Sequence, residues 1–378
     1  MATSPAPRRP RRRVAVAVVA AALAATALAG CEPPTLAART VVSGRADVWE
    51  IAFTPAGTML WTERGGRIMK RTTAGAVSPV SADLSGLRVA GETGLMGLAV
   101  DPSFRTNKRI YTCMGYASGG TTDVRVVPWV FNEAGTALTR RAPIVTGLPA
   151  TSGRHGGCRL LFDASRRLYV GTGDAAIGTT PQDLTSLGGK ILRVDPDTGA
   201  GTAGNPFADS SNANTRRIWS YGHRNVQGLA IRPANGTLWS AEHGPDRDDE
   251  VNRAVAGNFG WNPVPGYDEG VPMTDTAEFP DAKRARWSSG SPTVATAGIT
   301  WLDGERWGTW DDHLVVATLK GQRLLLFRPE SDGRITLVST LYQGTYGRIR
   351  AVRQGPDGNL YIGTSNGSQD RIIRITPS

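Results

Sequence analysis

Short apolar runs recur in pairs along the chain. An apolar triplet is followed by a polar turn and then by a second apolar or aromatic run. The pairs are Ile51-Ala52-Phe53 with Met59-Leu60-Trp61, Leu98-Ala99-Val100 with Ile110-Tyr111, and Leu160-Leu161-Phe162 with Leu168-Tyr169-Val170. They continue with Leu229-Ala230-Ile231 and Leu238-Trp239, Ile299-Thr300-Trp301 and Leu314-Val315-Val316, and Ala351-Val352 and Leu360-Tyr361-Ile362. The intervening turns carry Pro-Ala-Gly, Asp-Pro, Asp-Ala-Ser, Ala-Asn-Gly, Asp-Gly or Pro-Asp-Gly, residues whose backbone or side chain favours reversal. Each pair therefore predicts an antiparallel hairpin. After residue 31 no helical periodicity persists beyond about two turns. The first runs begin at 51, 98, 160, 229, 299 and 351, a spacing that averages the length of a four-stranded blade plus a loop. Radial repetition of such sheets leaves few exposed edges. The pattern predicts an all-β, six-bladed β-propeller over 43–378, as one domain. A pair of β-sandwiches is the competing arrangement, and it fits the persistence of a single repeat type less well.

One hairpin stands out. Tyr221 to Glu250 reads YGHRNVQGLAIRPANGTLWSAEHGPDRDDE. Its strands flank a turn at Ala234-Asn235-Gly236, and its two ends carry Gly222-His223-Arg224-Asn225 and Glu242-His243-Gly244-Pro245. Charged groups and a Gly-Pro backbone at hairpin ends suit a binding site at a propeller mouth, and the loops leaving the inner strands are where such a site is expected. The longest connection, Asn262 to Ala297, is rich in Pro, Ser, Thr and Asp. A loop of that length is expected to form one wall of a cleft.

The N-terminus changes the picture of charge and location. Arg8, Arg9, Arg11, Arg12 and Arg13 precede an apolar, alanine-rich stretch from Val14 to Leu28, and Leu28-Ala29-Gly30-Cys31 follows. This order predicts a signal peptide over 1–30 with a lipid-carrying Cys31, then a tether over 31–42. An ordinary secretory signal with an incidental Cys31 is the alternative. Either way the mature protein acts outside the cytoplasm, lipid-anchored at the outer face of the cytoplasmic membrane or secreted. Residues 1–30 hold five arginines and no acids, so the net charge of +10 falls to +5 on their removal. With no basic, aromatic-interleaved cluster beyond Cys31, nucleic-acid binding is not expected. Cys113 and Cys158 remain, either as a disulfide or as two buried thiols.

Candidate chemistry is sparse. The chain has 4 histidines, and His155 sits in Arg154-His155-Gly156-Gly157, where glycines permit close approach of a ligand. Imidazole accepts a proton from an alcohol near neutral pH, although such a histidine more often only bonds a turn. Arg224, Asn225 and Gln227 suit an oxygen that gains negative charge, or a salt bridge to the nearby aspartates. Glu242 to Glu250 concentrates hard oxygens and a Gly-Pro turn, compatible with Ca²⁺ or with a solvated acidic turn. Lys320, Arg348 and Arg350 would bind a polyanion if they converge, and are surface charge if they do not.

Taken together, several motifs identify a family. GETGLMGLAVDPSF (91–104), HGGCRLLFD (155–163), LYVGTGD (168–174), LGGKILRVDP (187–196), IWSYGHRNVQGLAI (218–231), EHGPDRDDEVN (242–252) and NFGWNPV (258–264) resemble the soluble PQQ-dependent glucose dehydrogenase and aldose sugar dehydrogenase family of six-bladed propellers. The resemblance implies oxidation of the C1 hydroxyl of an aldose to a lactone, with pyrroloquinoline quinone (PQQ) and Ca²⁺ as cofactors and an external electron acceptor. It implies that His155 is the catalytic base, with Asp249 assisting it. It further implies that Arg224 and Asn225 contact the quinone, that Gly244 and Pro245 hold calcium through backbone carbonyls, and that Lys320, Arg348 and Arg350 bind the cofactor. Three positions depart from the family pattern: Glu92 replaces a cofactor-contacting glutamine, Arg154 an aspartate and His243 a glutamine. They bear on substrate preference and on cofactor placement. A carbohydrate- or protein-binding propeller without turnover, and a calcium-dependent lactonase, are the alternatives.

Overall fold

The structure is a computed structural model that describes residues 1–4 and 32–378. The arginine-rich and apolar leader features and Cys31 lie outside the described residues. Among the described residues no helix is long and apolar enough to cross a membrane. Helix among the described residues is confined to Phe104–Asn107, Ala213–Arg217 and a 3-10 segment at Glu305–Trp310.

Every hairpin expected from the apolar pairs is present and in register. Ile51 faces Trp61, Val100 faces Ile110, Phe162 faces Leu168, Ile231 faces Leu238, Trp301 faces Leu314 and Val352 faces Ile362. Each hairpin extends outward into an antiparallel meander. The meander starting at Val48–Phe53, for instance, continues through Met59–Glu63 and Arg67–Arg71 to Val77–Ala82. The hairpin at Val226–Ile231 ends on a short strand, Trp287–Ser288, drawn from the long connection.

The first strands pack side by side in a closed cycle. Val48–Phe53 touches Leu95–Val100, then in turn come Gly157–Phe162, Val226–Ile231, Thr296–Trp301 and Ile349–Gln354, which returns to Val48–Phe53. Their approach is close enough to require glycine. A Cβ on Gly97 would meet the Cys158 carbonyl oxygen at 2.2 Å, and one on Gly228 would meet that of Ala297 at 2.4 Å. Separate apolar clusters fill the spaces between successive meanders, such as Leu60, Leu98 and Trp129 in one and Val316, Trp239 and Phe327 in another. Burial of these faces is the main favourable term in folding.

The expected tether is corrected in part. Leu36–Arg45 is a β-strand, antiparallel to the C-terminal strand Asp370–Pro377, with Ala38 opposite Ile375. Its side chains are mostly exposed, so it carries no apolar alternation that would have marked it. The pairing partner is the open backbone edge of the last strand, more than three hundred residues away, and covering it removes an unpaired edge. Cys113 and Cys158 form a disulfide that joins two neighbouring meanders.

Candidate active site

The residues singled out by sequence gather at one end of the cycle. They lie before the first strands or after the second strands, except Arg350, which is the second residue of the first strand Ile349–Gln354. In an antiparallel hairpin those two positions are the same end. Glu92, His155 and Arg224 with Asn225 precede Leu95–Val100, Gly157–Phe162 and Val226–Ile231 respectively, whereas Gly244 and Pro245 follow Leu238–Glu242.

His155 is buried and adopts a left-handed backbone, φ +51°. Its carbonyl leaves no room at the neighbouring turn, because a Cβ on Gly173 would lie 1.8 Å from that oxygen. The next residue, Asp174, accepts a contact from His155 Nδ1 at 2.7 Å. Asp174 also accepts from Trp261 Nε1 at 2.8 Å, from the Tyr267 hydroxyl at 2.7 Å and from the Ala176 N–H at 2.8 Å. With Nδ1 facing a carboxylate, the proton of a neutral imidazole resides there and Nε2 keeps its lone pair. No hydrogen bond from the described protein residues engages Nε2.

The partner expected for His155 was Asp249, and this is corrected. Asp249 is fully buried and accepts the backbone N–H of Gly244 at 3.0 Å and those of Val294 and Ala295 at 2.6 Å each. It shapes the Gly244 turn. The same acidic run divides by burial: Asp246 is exposed and paired with Arg247, while Glu250 lies in the strand beneath.

Arg224 is buried, with Nη1 donating to the carbonyls of His243 at 3.2 Å and Gly244 at 3.0 Å. Its Nη2 pairs with Glu269, which also meets Arg154 at 3.1 Å. Burial works against the Glu269 charge, but Arg224 and Arg154 outweigh it and hold the carboxyl below its ordinary range. Asn225 links three elements: its Oδ1 accepts from Gly157 N and Gln227 Nε2, both at 3.0 Å, and its Nδ2 donates to Glu92 at 2.9 Å. Burial likewise opposes ionisation of Glu92, yet His243, His155, the Asn225 amide and Arg350 together keep it below the usual carboxylate range.

The late cations divide. Arg350 is buried and donates to Gln227 Oε1 at 3.1 Å. Lys320 and Arg348 are exposed; Lys320 reaches Thr293 Oγ1 at 3.2 Å, and Arg348 lies near enough for its charge to act on Arg350. His243 sits amid Asp249, Glu92, Arg350 and Arg224; burial pushes its imidazole down, while the Asp249 and Glu92 carboxylates pull it the other way. Sequence reasoning missed Asp174, Trp261, Tyr267 and Glu269. Asp174 and Trp261 fall inside the quoted motifs LYVGTGD and NFGWNPV, but nothing in either motif states which histidine the aspartate meets. Tyr267 and Glu269 lie on the long connection, which does form a wall of the site.

The residues suit a bound anion. Arg224 Nε and Arg350 Nε are buried donors with no partner, as is the ring nitrogen His243 Nε2, and unpaired buried donors are costly unless a ligand accepts from them. The metal case is weaker. Among the described residues no three His, Cys, Asp or Glu side chains group to hold a metal. The Gly244 turn offers backbone carbonyls only, and that of Gly244 already accepts from Arg224.

The chain is similar to known sugar dehydrogenases. Aldose sugar dehydrogenase YliI of Escherichia coli (strain K12) is 31% identical over 343 residues, covering 87% of this chain and 90% of that protein. Quinoprotein glucose dehydrogenase B of Acinetobacter calcoaceticus is 32% identical over 358 residues, covering 72% and 73%. The PQQ-bound form of aldose sugar dehydrogenase from Streptomyces coelicolor superposes with a TM-score of 0.75 at 30% identity, covering 92% of this chain and 100% of that one. Residues 46–374 match the family described as Glucose / Sorbosone dehydrogenase, and the chain belongs to that family.

Proposed function

We propose that the protein oxidises the C1 hydroxyl of an aldose to the lactone, using PQQ and passing electrons to an external acceptor, on a six-bladed propeller. The observation that carries this reading is the His155–Asp174 pair, with a free Nε2, at a mouth where the buried Arg224 Nε and Arg350 Nε have no partner. Bound in this mouth, PQQ would supply the two-electron acceptor for the hydride that leaves C1. The chain's own residues handle the proton and the charge. His155 Nε2 takes the hydroxyl proton as the C1–O bond becomes a carbonyl, and Asp174 stabilises the imidazolium through Nδ1. Arg224 and Asn225 supply donors where negative charge develops. Glu92 fixes Asn225, while Arg350, Arg348 and Lys320 would hold the cofactor's carboxylates. Because Gly244 and Pro245 offer carbonyls alone, calcium would bind there only with further oxygens from the cofactor. Export and lipid anchoring through Cys31 place this chemistry outside the cytoplasm.

Reconstitution tests the reading. Purified protein loaded with PQQ and Ca²⁺ is expected to reduce an artificial dye with at least one aldose. Failure to bind PQQ, together with no dye reduction by any sugar of a broad panel, would overturn it. His155→Ala is expected to retain PQQ while losing about 10²-fold or more in turnover.

A further inference from the structure

Along the axis enclosed by the first strands, below this mouth, two more unpaired donors, on Trp49 and Arg159, lie with Arg350, which also belongs to the mouth. Trp49 and Glu50 lie on Val48–Phe53, Arg159 on Gly157–Phe162, Gln227 on Val226–Ile231 and Arg350 on Ile349–Gln354, so four of the first strands contribute. Gln227 joins the two arginines. Its backbone oxygen accepts from Arg159 Nε at 2.8 Å, and its Oε1 accepts from Arg350 Nη1 at 3.1 Å. Both guanidinium groups also lie over the Trp49 ring, at 4.3 Å for Arg159 and 5.6 Å for Arg350.

Three N–H groups in this cluster have no partner: Trp49 Nε1, Arg159 Nη2 and Arg350 Nε. Their residues are 1%, 3% and 8% exposed. Every one is a donor. The acceptors around them are engaged, since Glu50 pairs with Arg159 Nη1 and accepts Ile51 N, and both oxygens of Gln227 are taken. A water molecule placed here would need acceptors for its own hydrogens, whereas an anion needs only donors. Charge points the same way. Arg159 pairs with Glu50 and Arg350 faces Glu92, and Arg353, further along the same strand as Arg350, adds a third positive charge within reach of Glu50 and Arg159. Buried charges are retained when they are paired. Burial pushes Arg350 down to about 10, with Arg159 and Arg348 adding to the effect against Glu92 and Asp47.

We propose that the channel binds a small monoanion of the halide class, held by Trp49 Nε1, Arg159 Nη2 and Arg350 Nε. The site does not depend on sugar oxidation, and it sits beneath the cofactor mouth with Arg350 shared between the two. A spherical anion accepts from donors on several strands at once and offsets the excess positive charge of the channel axis.

Bromide provides the probe. In crystals of the cofactor-free wild-type protein grown with sodium bromide, an anomalous peak is expected within hydrogen-bonding distance of the three nitrogens, and it should persist after PQQ is soaked in. In solution, chloride or bromide at constant ionic strength against gluconate should raise the thermal midpoint of the cofactor-free protein in a saturable way. Trp49→Phe removes one donor with little change of shape, and should raise the halide concentration for half-effect roughly tenfold or more. Arg159→Lys, which keeps the charge for Glu50, should weaken it as well. A channel without an anomalous peak, or one filled by ordered water in high bromide, would overturn the proposal. So would loss of bromide on PQQ loading with a cofactor carboxylate in its place, since the donors would then belong to the cofactor site.

Discussion

His155 Nδ1 lies 2.7 Å from Asp174 Oδ1, and the same carboxylate is held on its other side by Trp261 and Tyr267. The arrangement sets the imidazole's tautomer and leaves Nε2 as the basic atom. Asp174→Asn should present an amide N–H to Nδ1 and so move the ring proton to Nε2. Turnover is expected to fall by about 10²-fold or more, with PQQ affinity nearly unchanged. Steady-state kinetics beside an absorbance titration of PQQ separate the two. An unchanged kcat would remove Asp174 from the mechanism.

Asp249 predicts the opposite signature. It accepts three backbone N–H groups, from Gly244, Val294 and Ala295. Asp249→Ala leaves them buried and unpaired, a cost of about 2–5 kcal/mol. The midpoint of thermal unfolding should drop and cofactor retention should weaken, while turnover per loaded site stays near wild type. A turnover defect like that of His155→Ala, without loss of stability, would restore Asp249 to the catalytic group.

Glu269 competes with an anionic cofactor for Arg224. The carboxylate pairs with Arg224 Nη2 and is further held by Arg154. A bound anion needing the same guanidinium must displace or share that pairing, so Glu269→Ala should tighten PQQ binding. A several-fold decrease in Kd is expected, and a weaker Kd would show that Glu269 aids the cofactor instead.

Glu250 gives a pH-dependent prediction. Burial, with the neighbouring Glu242 adding to it, pushes this carboxyl up to about 8, although Asn252 and Thr274 donate to it. A folded-state value above the unfolded one means that the native state binds the extra proton. Stability is therefore fully retained below the unfolded value near 4.3, and it declines as pH rises from there towards about 8. Glu250→Gln removes the ionisation. Its thermal midpoint relative to wild type should rise between pH 5 and pH 9, and a difference that is flat across this range would contradict the assignment.

What the sequence determined was local. Apolar triplets separated by turn residues specify hairpins, because side chains alternate across a strand and Gly, Pro, Asn and Asp reverse the backbone. All six paired runs, from Ile51 and Trp61 to Val352 and Ile362, were legible as hairpins on that basis, whereas the residue registers come from the structure. His155, Arg224 and Asn225 drew notice by glycine-flanked or hairpin-end positions, and Arg350 by its i, i+2 spacing from Arg348 and the family resemblance; the structure buries all four. The strand Leu36–Arg45 was not legible, since its mostly exposed side chains carry no pattern and its partner edge exists only after the cycle closes. The same holds for the partner of His155. Asp174 and Asp249 both lie within the quoted motifs, and only packing decides that one meets the imidazole while the other meets three backbone amides. Tyr267 and Glu269 come from a long connection whose path depends on contacts with Asp174 and Arg224 rather than on its own periodicity. Hydrogen bonds between distant segments have no sequence period, so the tertiary structure alone assigns them.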